Sequence, residues 1–372
     1  MAFFEELQQH LDLEMPMVVY RKPGRTVLSA LLQQDQCLYS APELDESGFI
    51  FSRFEPAEGH ILIPEKHAVR KSRDYHQPSF SSPVSSGSED PQTTHRARQN
   101  HLRLVKKALK AIDSGVLEKV VVSRQEEIPL KNQQPLILFQ DLLRRYPEAM
   151  VYLWYHPVTG TWLGATPESL LEISGNRFST MALAGTQVFQ EGAPNSWGEK
   201  ESMEQQMVTD EILEAIRPFI RGIQLSDVES VKAGNLLHLR TSITGKHSQG
   251  SLRDLIRSLH PTPAVCGLPR QKAMEFILSN EGYDRQFYTG FLGEINLRQS
   301  VSRSRNTRNV EEMAYRRVRK ETDLYVNLRC MKMDTGKATL FIGGGITDKS
   351  DPRSEWEETI RKAETMKAVL SS

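Results

Sequence analysis

The sequence has few cysteines, no long apolar run and no excess of either charge. Three cysteines among 372 residues, an odd number without CxxC spacing, argue against a disulfide framework and predict reduced core thiols. The 47 basic and 47 acidic residues cancel, so no overall field draws the chain to nucleic acid or membrane. No apolar stretch approaches the roughly 20 residues of a bilayer span, and the N-terminal residues lack the pattern of a signal peptide. We therefore expect a cytoplasmic protein without a nucleic-acid or membrane partner.

Two polar segments interrupt the chain. Residues 71–92 are rich in Ser and Pro and poor in large apolar side chains, which predicts a mobile surface loop. Residues 298–320 carry eight basic residues against Glu311 and Glu312. We interpret this basic segment as the solvated tip of a hairpin, and RNA or partner binding is the alternative.

Apolar periodicity predicts strands in runs, with helices grouped between them. Leu102, Val105, Leu109 and Ile112 form one stripe of a helix that should stop at Gly115. Strands are predicted at 119–123, 150–154, 161–165, 170–173, 178–183, 288–295, 324–333 and 338–343, and further helices at 136–145, 200–218, 252–258 and 355–370. This arrangement indicates an α+β fold with largely antiparallel sheets.

Lys119 and Glu168 are candidates for acid–base chemistry. Lys119 begins the apolar run 119–124, and a lysine on an apolar strand tends to lose its charge. Glu168 follows Pro167 in a turn after a strand, which presents the carboxyl group from a rigid corner. A neutral lysine is a base, and a carboxyl group that keeps its proton is an acid. Taken separately, each residue is better explained as a surface residue, and the two together favour the acid–base interpretation.

Three glutamates are candidates for a metal site. Glu204 falls on the helical stripe of Val208 and Ile212, which points its carboxylate inward, although a first-turn acid on the helix surface is the alternative. Glu355 and Glu358 lie on one face of the last helix. Carboxylates from two helices that face an anion are best explained by Mg²⁺, which takes one or two carboxylates with substrate oxygens and water.

Further polar residues surround these candidates. Gly343–Gly345 present bare backbone amides before the last helix, an arrangement suited to anions. Ser354 and Glu357 predict a capping box at its start. Lys362 follows Glu358 by one turn, and a plain surface ion pair is the alternative for the two. Arg329 interrupts a predicted strand and requires a partner such as a carboxylate, and Tyr288 could add a hydroxyl group or be a core residue.

Eight segments together resemble the chorismate-utilising enzymes, a group that contains isochorismate, anthranilate, salicylate and aminodeoxychorismate synthases. In chain order they are KVVVSR, GATPES, LAGT, KESMEQQMV, HPTPAVCGLPRQKA, FYTGFLGEI, LYVNLRC and GGGITDKSDPRSEWEET. The resemblance covers residues 95–297 and 322–370 and is loose over 1–94. It implies the fold of anthranilate synthase component I: two facing, largely antiparallel sheets with helices outside and the active site between them. Residues 1–94 would form the N-terminal part, and 95–372 the catalytic region.

The resemblance also implies a role for each candidate. Lys119 would activate water, and Glu168 would protonate the departing C4 hydroxyl of chorismate. Glu204 and Glu358 would bind Mg²⁺, with Glu355 behind them. Arg329 and Tyr288 would hold the enolpyruvyl carboxylate. The pocket would be lined by Ala184, Gly185, Thr186, Gly344 and Lys362.

Two positions distinguish the relatives. Anthranilate synthases generally have glutamine in place of Lys119, and aminodeoxychorismate synthases have lysine in place of Ala184, so this chain has the combination that uses water. The resemblance thus predicts an Mg²⁺-dependent isochorismate synthase for menaquinone or siderophore biosynthesis, a monomer or weak dimer. A salicylate synthase, which adds a pyruvate-lyase step, is the first alternative, and a degenerate chorismate- or RNA-binding protein the second. Gln205 departs from the histidine that is common after the metal glutamate.

Overall fold

The computed structural model describes residues 3–76, 91–130, 134–189, 197–233, 236–301 and 317–370. The α-helices in these ranges are α1 (Phe3–Asp12), α2 (Pro91–Asp113), α3 (Pro135–Arg145), α4 (Glu199–Ile216), α5 (Leu252–Leu259), α6 (Arg270–Asn280) and α7 (Pro352–Leu370). None of these helices is long and apolar enough to cross a membrane.

The strands over the same ranges alternate with the helices in groups. They are β1 (Met17–Arg21), β2 (Val27–Gln33), β3 (Tyr39–Ser40), β4 (Gly48–Ser52), β5 (His60–Pro64), β6 (Ala68–Asp74), β7 (Lys119–Pro129), β8 (Met150–His156), β9 (Gly160–Thr166), β10 (Ser169–Ser174), β11 (Arg177–Val188), β12 (Ile220–Leu225), β13 (Glu229–Ala233), β14 (Leu236–His247), β15 (Gly267–Leu268), β16 (Phe291–Val301), β17 (Arg317–Val326), β18 (Cys330–Asp334) and β19 (Lys337–Ile346).

The strands form two antiparallel sheets. The first sheet has the order β15-β7-β19-β18-β9-β8-β1-β2-β6. The second has the order β12-β14-β11-β10-β17-β16-β4-β5-β3, with β13 paired to β14. Every pairing that the structure describes is antiparallel. The N-terminal residues contribute strands to both sheets, which is why chain segments far apart in sequence meet in one core.

Apolar side chains fill the space between the sheets and the space under the helices. The inner layer includes Phe51, Trp154, Trp162 and Phe287, whose rings are in mutual contact. Helices α3 and α7 cover the outer face of the first sheet, α4 and α5 cover the second, and α2 and α6 cover the end at β7. The predicted α+β fold of two facing sheets with helices outside is therefore confirmed.

Several local predictions were right. The helix after the Ser/Pro-rich segment ends at Asp113, and the backbone N–H of Gly115, at a φ of +73°, donates to Ile112 O at 2.8 Å. Glycine accepts this left-handed conformation without steric cost. Strands β7 to β11 and helices α3, α4 and α5 overlap the predicted positions.

Other local predictions were wrong. The strand predicted at 324–333 is two strands, because the chain leaves the second sheet after Val326 and enters the first at Cys330. The last helix begins at Pro352, and Asp351 Oδ1 accepts hydrogen bonds from the backbone N–H groups of Arg353 and Ser354, so the Ser354–Glu357 capping box does not form. Cys37 is exposed, whereas Cys266 and Cys330 are core thiols as predicted.

The structure describes the ends of both polar segments. Residues 71–74 complete β6, residues 91–92 begin α2, and the rest of the predicted loop, 77–90, lies outside the described residues. In the basic segment, Arg298 pairs with Lys320 and Val301 with Arg317 as β16 and β17 extend past the sheet. These are the two arms of the predicted hairpin, and its tip, 302–316, lies outside the described residues.

Candidate active site

A pocket between the two sheets brings most of the predicted site residues together. Its empty volume, counted out to its open mouth, is about 1050 Å³. The predicted residues that line it are Glu168, Ala184, Gly185, Thr186, Glu204, Tyr288, Arg329, Gly344, Glu358 and Lys362. Lys119 and Glu355 lie directly behind this lining, each in contact with a residue that forms it.

Lys119 and Glu204 form an ion pair at one side of the pocket. Lys119 is the first residue of β7 and is fully buried, and its Nζ lies 2.8 Å from Oε1 of Glu204 on α4. Burial alone would raise the pKa of Glu204, but the positive charge of Lys119 reverses the direction and lowers it. The residue predicted to be the base and one predicted metal ligand are therefore in direct contact, and the charge of one affects the pKa of the other.

Gly345 makes this close approach possible. A Cβ atom at Gly345 would lie 2.8 Å from Glu204 Oε1 and 3.2 Å from Lys119 Cε. Strand β19 pairs with β7 next to Lys119, with Gly345 opposite Val121. The glycine thus leaves room for the two charged side chains to meet over the strand.

Glu168 is a buried carboxylic acid. It follows Pro167 in the turn after β9, and its backbone C=O accepts a 3.0 Å hydrogen bond from the Val326 N–H, which holds the turn against β17. Its side chain is 4% exposed. Burial raises the pKa of Glu168 to about 8, against the opposing charge of Lys119. The carboxyl group therefore keeps its proton at neutral pH and can donate it to a bound molecule.

Arg329 is positioned by a histidine that sequence reasoning missed. Arg329 lies between β17 and β18 with a φ of +47°, and its Nη2 is 2.6 Å from Nε2 of His238. The other ring nitrogen, Nδ1, donates to Gly185 O at 2.8 Å, so Nε2 accepts from the guanidinium group. Burial and the neighbouring Arg329 lower the pKa of His238 to about 3, which keeps the ring neutral.

Burial also lowers the pKa of Arg329 to about 10. One observed partner of the Arg329 guanidinium group is the neutral ring of His238. A guanidinium group that lines a pocket is suited to an anionic ligand, because its planar fork matches the oxygens of a carboxylate.

Tyr288 and Lys362 lie on the β19 side of the pocket. The Tyr288 ring stacks on Phe341 at 5.4 Å between centroids, and a Cβ at Gly343 would lie 2.7 Å from the Tyr288 hydroxyl oxygen. Burial raises the pKa of Tyr288, so the hydroxyl group stays protonated. Lys362 Nζ lies 2.7 Å from Glu358 Oε1 and donates to Gly343 O at 3.0 Å. The predicted Glu358–Lys362 pair is present, and it faces the pocket.

Three carboxylates surround the backbone of Gly344 and Gly345. A Cβ at Gly344 would lie 3.6 Å from Glu355 Oε2 and 3.8 Å from Glu358 Oε1, and Gly345 faces Glu204 in the same way. Glu355 is buried and paired to Lys200 at 2.8 Å, and burial followed by repulsion from Glu358 raises its pKa. Lys200 was not predicted as a site residue.

These carboxylates fit an open divalent-cation site. Among the described residues, no three His, Cys, Asp or Glu side chains converge closely enough to form a complete metal cage. Glu204 and Glu358 both line the pocket, and Oε2 of Glu355 is buried without a hydrogen-bond partner in the described structure. Two carboxylates beside a pocket leave positions for ligand oxygens and water, as Mg²⁺ requires.

Gln205, which stands where relatives often have histidine, does not face the pocket. Its Nε2 donates to Ala182 O at 3.1 Å and to Thr241 Oγ1 at 3.0 Å. Its side chain therefore ties α4 to β11 and β14 and fixes the helix that carries Glu204.

Comparison with protein families agrees with the geometry. A family model described as a chorismate binding enzyme matches residues 62–302, more than half of the chain, and a second with the same description matches residues 313–368. The "salicylate biosynthesis isochorismate synthase" of Pseudomonas aeruginosa is 28% identical over 330 residues, which cover 86% of this chain and 64% of that protein. The isochorismate synthase EntC of Escherichia coli is 30% identical over 281 residues, covering 72% of this chain and 66% of EntC. The chain thus spans slightly less than two thirds of the length of these relatives.

Solved structures share the fold. The isochorismate synthase DhbC of Bacillus anthracis, described as 2,3-dihydroxybenzoate-specific, superposes with a TM-score of 0.76 at 20% identity, covering 98% of this chain and 99% of that one. The menaquinone-specific isochorismate synthase MenF of Escherichia coli superposes with a TM-score of 0.73 at 19% identity, covering 95% and 88%. These similarities confirm the architecture over nearly the whole chain.

Proposed function

The chain belongs to the chorismate-binding enzyme family, and from that premise we propose that it is an isochorismate synthase. In this reaction water adds at C2 of chorismate, the ring double bonds shift, and the C4 hydroxyl leaves as water after it gains a proton. The observation that carries the proposal is that a buried lysine and a buried carboxylic acid lie at the same pocket. Lys119 contacts Glu204 in the pocket lining, and Glu168 lines the pocket directly.

Lys119 and Glu168 supply complementary proton transfers. Lys119 is paired with Glu204 as an ammonium group in the free protein, so it must first give up a proton before it can take one from the attacking water. Glu168 gives a proton to the departing C4 oxygen. The raised pKa of Glu168, about 8, keeps that proton available at neutral pH. The product has the composition of the substrate, so the net change is a rearrangement.

Arg329 and Tyr288 hold the enolpyruvyl carboxylate in this proposal. Arg329 offers a guanidinium fork that His238 holds in place from the side, and Tyr288 offers a protonated hydroxyl from the turn before β16. Ala184, Gly185, Thr186, Gly344 and Lys362 line the remaining surface. The small residues leave space for the ring, and Lys362 adds positive charge near a dianionic substrate.

Glu204 and Glu358 would hold Mg²⁺, with Glu355 behind them. When bound there, the cation supplies positive charge for the ring carboxylate. In the structure each of the three carboxylates forms an ion pair with a lysine: Glu204 with Lys119, Glu358 with Lys362, and Glu355 with Lys200. The lysines therefore neutralise the three carboxylates in the free protein. A cation bound there would compete with these lysines for the carboxylate oxygens.

The choice of water as nucleophile is supported by Lys119 and Ala184, the combination of the water-using relatives. Ala184 is buried in β11 and lines the pocket. The same combination occurs in salicylate synthases, so product analysis decides between the two activities. The supply of menaquinone or a siderophore, a cytoplasmic location and a monomeric or weakly dimeric state stay predictions.

The proposal is tested by incubating the purified protein with chorismate, with and without Mg²⁺, and separating the products by chromatography with fluorescence detection. We expect isochorismate in equilibrium with chorismate, formed only with Mg²⁺. Fluorescent salicylate with an equal amount of pyruvate would assign a salicylate synthase instead. Absence of turnover, with chorismate still bound, would assign a degenerate binding protein.

A further inference from the structure

A second cavity lies beside β7, apart from the substrate pocket between the sheets. It opens where α2, the end of α6 and the middle of β7 meet, and its empty volume, counted out to its mouth, is about 940 Å³. Its polar and charged lining includes Asn100, His101, Arg103, Lys107, Arg124 and Asn280. We refer to it below as the α2 cavity.

Positive charge dominates the lining of the α2 cavity. Arg103 and Lys107 lie one turn apart on α2, and Arg124 comes from β7. The one carboxylate of the described lining, Glu281, is already bound by the buried Arg285 through both of its oxygens, at 2.5 and 2.8 Å. Arg124 is paired with Glu126 at 2.8 Å, whereas Arg103 and Lys107 bond to the neutral amide oxygens of Asn100 and Asn280, so these two cations carry the uncompensated positive charge of the described lining.

Buried polar groups in the same lining lack partners. His101 is 2% exposed, and neither of its ring nitrogens has a hydrogen-bond partner among the described residues. Arg124 donates from Nε to Thr359 Oγ1 at 2.9 Å and from Nη1 to Glu126 at 2.8 Å, but its buried Nη2 has no partner there. Buried donors without partners are costly and uncommon in folded proteins.

One aromatic ring contacts both buried side chains. The Arg124 guanidinium carbon lies 4.7 Å from the centroid of the Trp356 ring, and the His101 ring lies 5.8 Å from the same ring. Trp356 on α7 thus packs against both groups.

We propose that the α2 cavity binds a small anion that carries a phosphate group. A guanidinium group matches phosphate oxygens in a fork geometry, and a lysine adds a compact positive charge. The amide of Asn100 and the ring of His101 supply neutral donors beside these cations. A phosphate group has more acceptor oxygens than a carboxylate and can therefore bond to more of these donors.

The α2 cavity shares a wall with the substrate pocket. Tyr283 lines the α2 cavity, and its ring lies 6.3 Å from that of Phe341, which lines the substrate pocket. Ser123 also lines the α2 cavity and bonds to the Tyr283 hydroxyl at 2.6 Å. The proposal concerns binding alone and does not depend on the reaction proposed for the substrate pocket.

The test is a calorimetric titration of the full chain with inorganic phosphate and, separately, with glycerol phosphate, in a buffer that contains no phosphate. The variant R103Q/K107Q removes two cations of the lining, and K106Q/K110Q removes two exposed cations of the same helix that do not line it. We expect the wild type and K106Q/K110Q to bind equally and R103Q/K107Q to bind at least about tenfold more weakly, because two charge-assisted contacts are lost.

The two ligands separate the two sources of the phosphate group. Tighter binding of glycerol phosphate would identify an organic phosphate, and equal binding would identify free phosphate. Saturable binding should also shift the NMR signals of the His101 ring in protein with labelled histidine. No saturable binding of either ligand up to about 10 mM, or equal weakening in both double variants, would overturn the proposal.

Discussion

The ammonium group of Lys119 and the carboxylate of Glu204 lie 2.8 Å apart at the side of the substrate pocket. The two residues come from β7 and α4 and are 85 positions apart in sequence. The sequence predicts a base for one and a metal ligand for the other. Their contact means that neither group can change its charge or its partner without affecting the other. The predictions below follow from this coupling and from the environment of Glu168.

Replacement of Lys119 should abolish turnover of chorismate but leave its binding largely unchanged. In the proposed reaction, Lys119→Gln cannot accept a proton from water, so we expect kcat to fall by about 100-fold or more. Lys119→Arg keeps the positive charge beside Glu204 but cannot act as the base, and should be equally inactive. Chorismate affinity, measured by calorimetry, should change little in the arginine variant. Substantial turnover in either variant would remove Lys119 from its proposed role.

The raised pKa of Glu168 should lower the free energy of unfolding as the pH rises. Its pKa in the folded state is about 8, above its usual 4.5, so between these values the folded state holds a proton that the unfolded state has lost. The free energy of unfolding should therefore fall by about 1.4 kcal/mol per pH unit across this window because of this group. Its contribution should level off above pH 8.

Glu168→Gln removes this titration and provides the measurement. Urea unfolding of the variant and the wild type at pH 5, 7 and 9 should show the variant gaining relative stability with pH. At pH 7 the same variant should bind chorismate but turn it over slowly, because the amide has no proton to give to the leaving oxygen. A constant stability difference across the three pH values would contradict a raised pKa.

The carboxylates at Gly344 and Gly345 should control the response to Mg²⁺. Glu204→Gln and Glu358→Gln should each raise the Mg²⁺ concentration for half-maximal activity by about tenfold or more, because each removes a charged ligand. Calorimetric Mg²⁺ titrations should weaken in parallel. Glu357→Gln, at an exposed position beside Glu358 on the same helix, is the matched control and should leave the titration unchanged. Unaltered Mg²⁺ curves in both ligand variants would refute the metal site.

Gly345→Ala should damage the site without unfolding the protein. The added methyl group would approach Glu204 Oε1 to 2.8 Å and Lys119 Cε to 3.2 Å, so one of the two side chains must move. We expect activity to fall by at least about tenfold, since small misplacements of reacting groups are costly. Circular dichroism should show the fold intact. An alanine variant with full activity would mean that the observed ion-pair geometry has no bearing on turnover.

Sequence patterns predicted the central strands because each has its own local signal. Strand β7 reads as an apolar run after Gly115, and β9 ends at the turn marked by Pro167. Strand β12 was missed because its side chains are mostly exposed and do not alternate. Helix α6 was missed because its apolar residues form no clear stripe, and only Ala273 and Ile277 are buried.

The sequence predicted most of the residues that meet at the pocket, but it did not predict the contacts between them. The resemblance identified Lys119, Glu204 and Arg329, but local periodicity contains no information about partners that are distant in sequence. His238 contacts Gly185 and Arg329 across separations of 53 and 91 residues. The positive φ of Arg329 is uncommon for a non-glycine residue and had no local signal either.

The central claim, that the site directs water to C2 of chorismate, is tested most directly with isotope-labelled solvent. The reaction is run in H₂¹⁸O with Mg²⁺, stopped early, and the isochorismate is analysed by mass spectrometry. The account predicts that each molecule of isochorismate carries one ¹⁸O atom, at the C2 hydroxyl, in the wild type. Isochorismate without the label would show that the hydroxyl group migrates within the substrate, and would contradict the activation of water by Lys119.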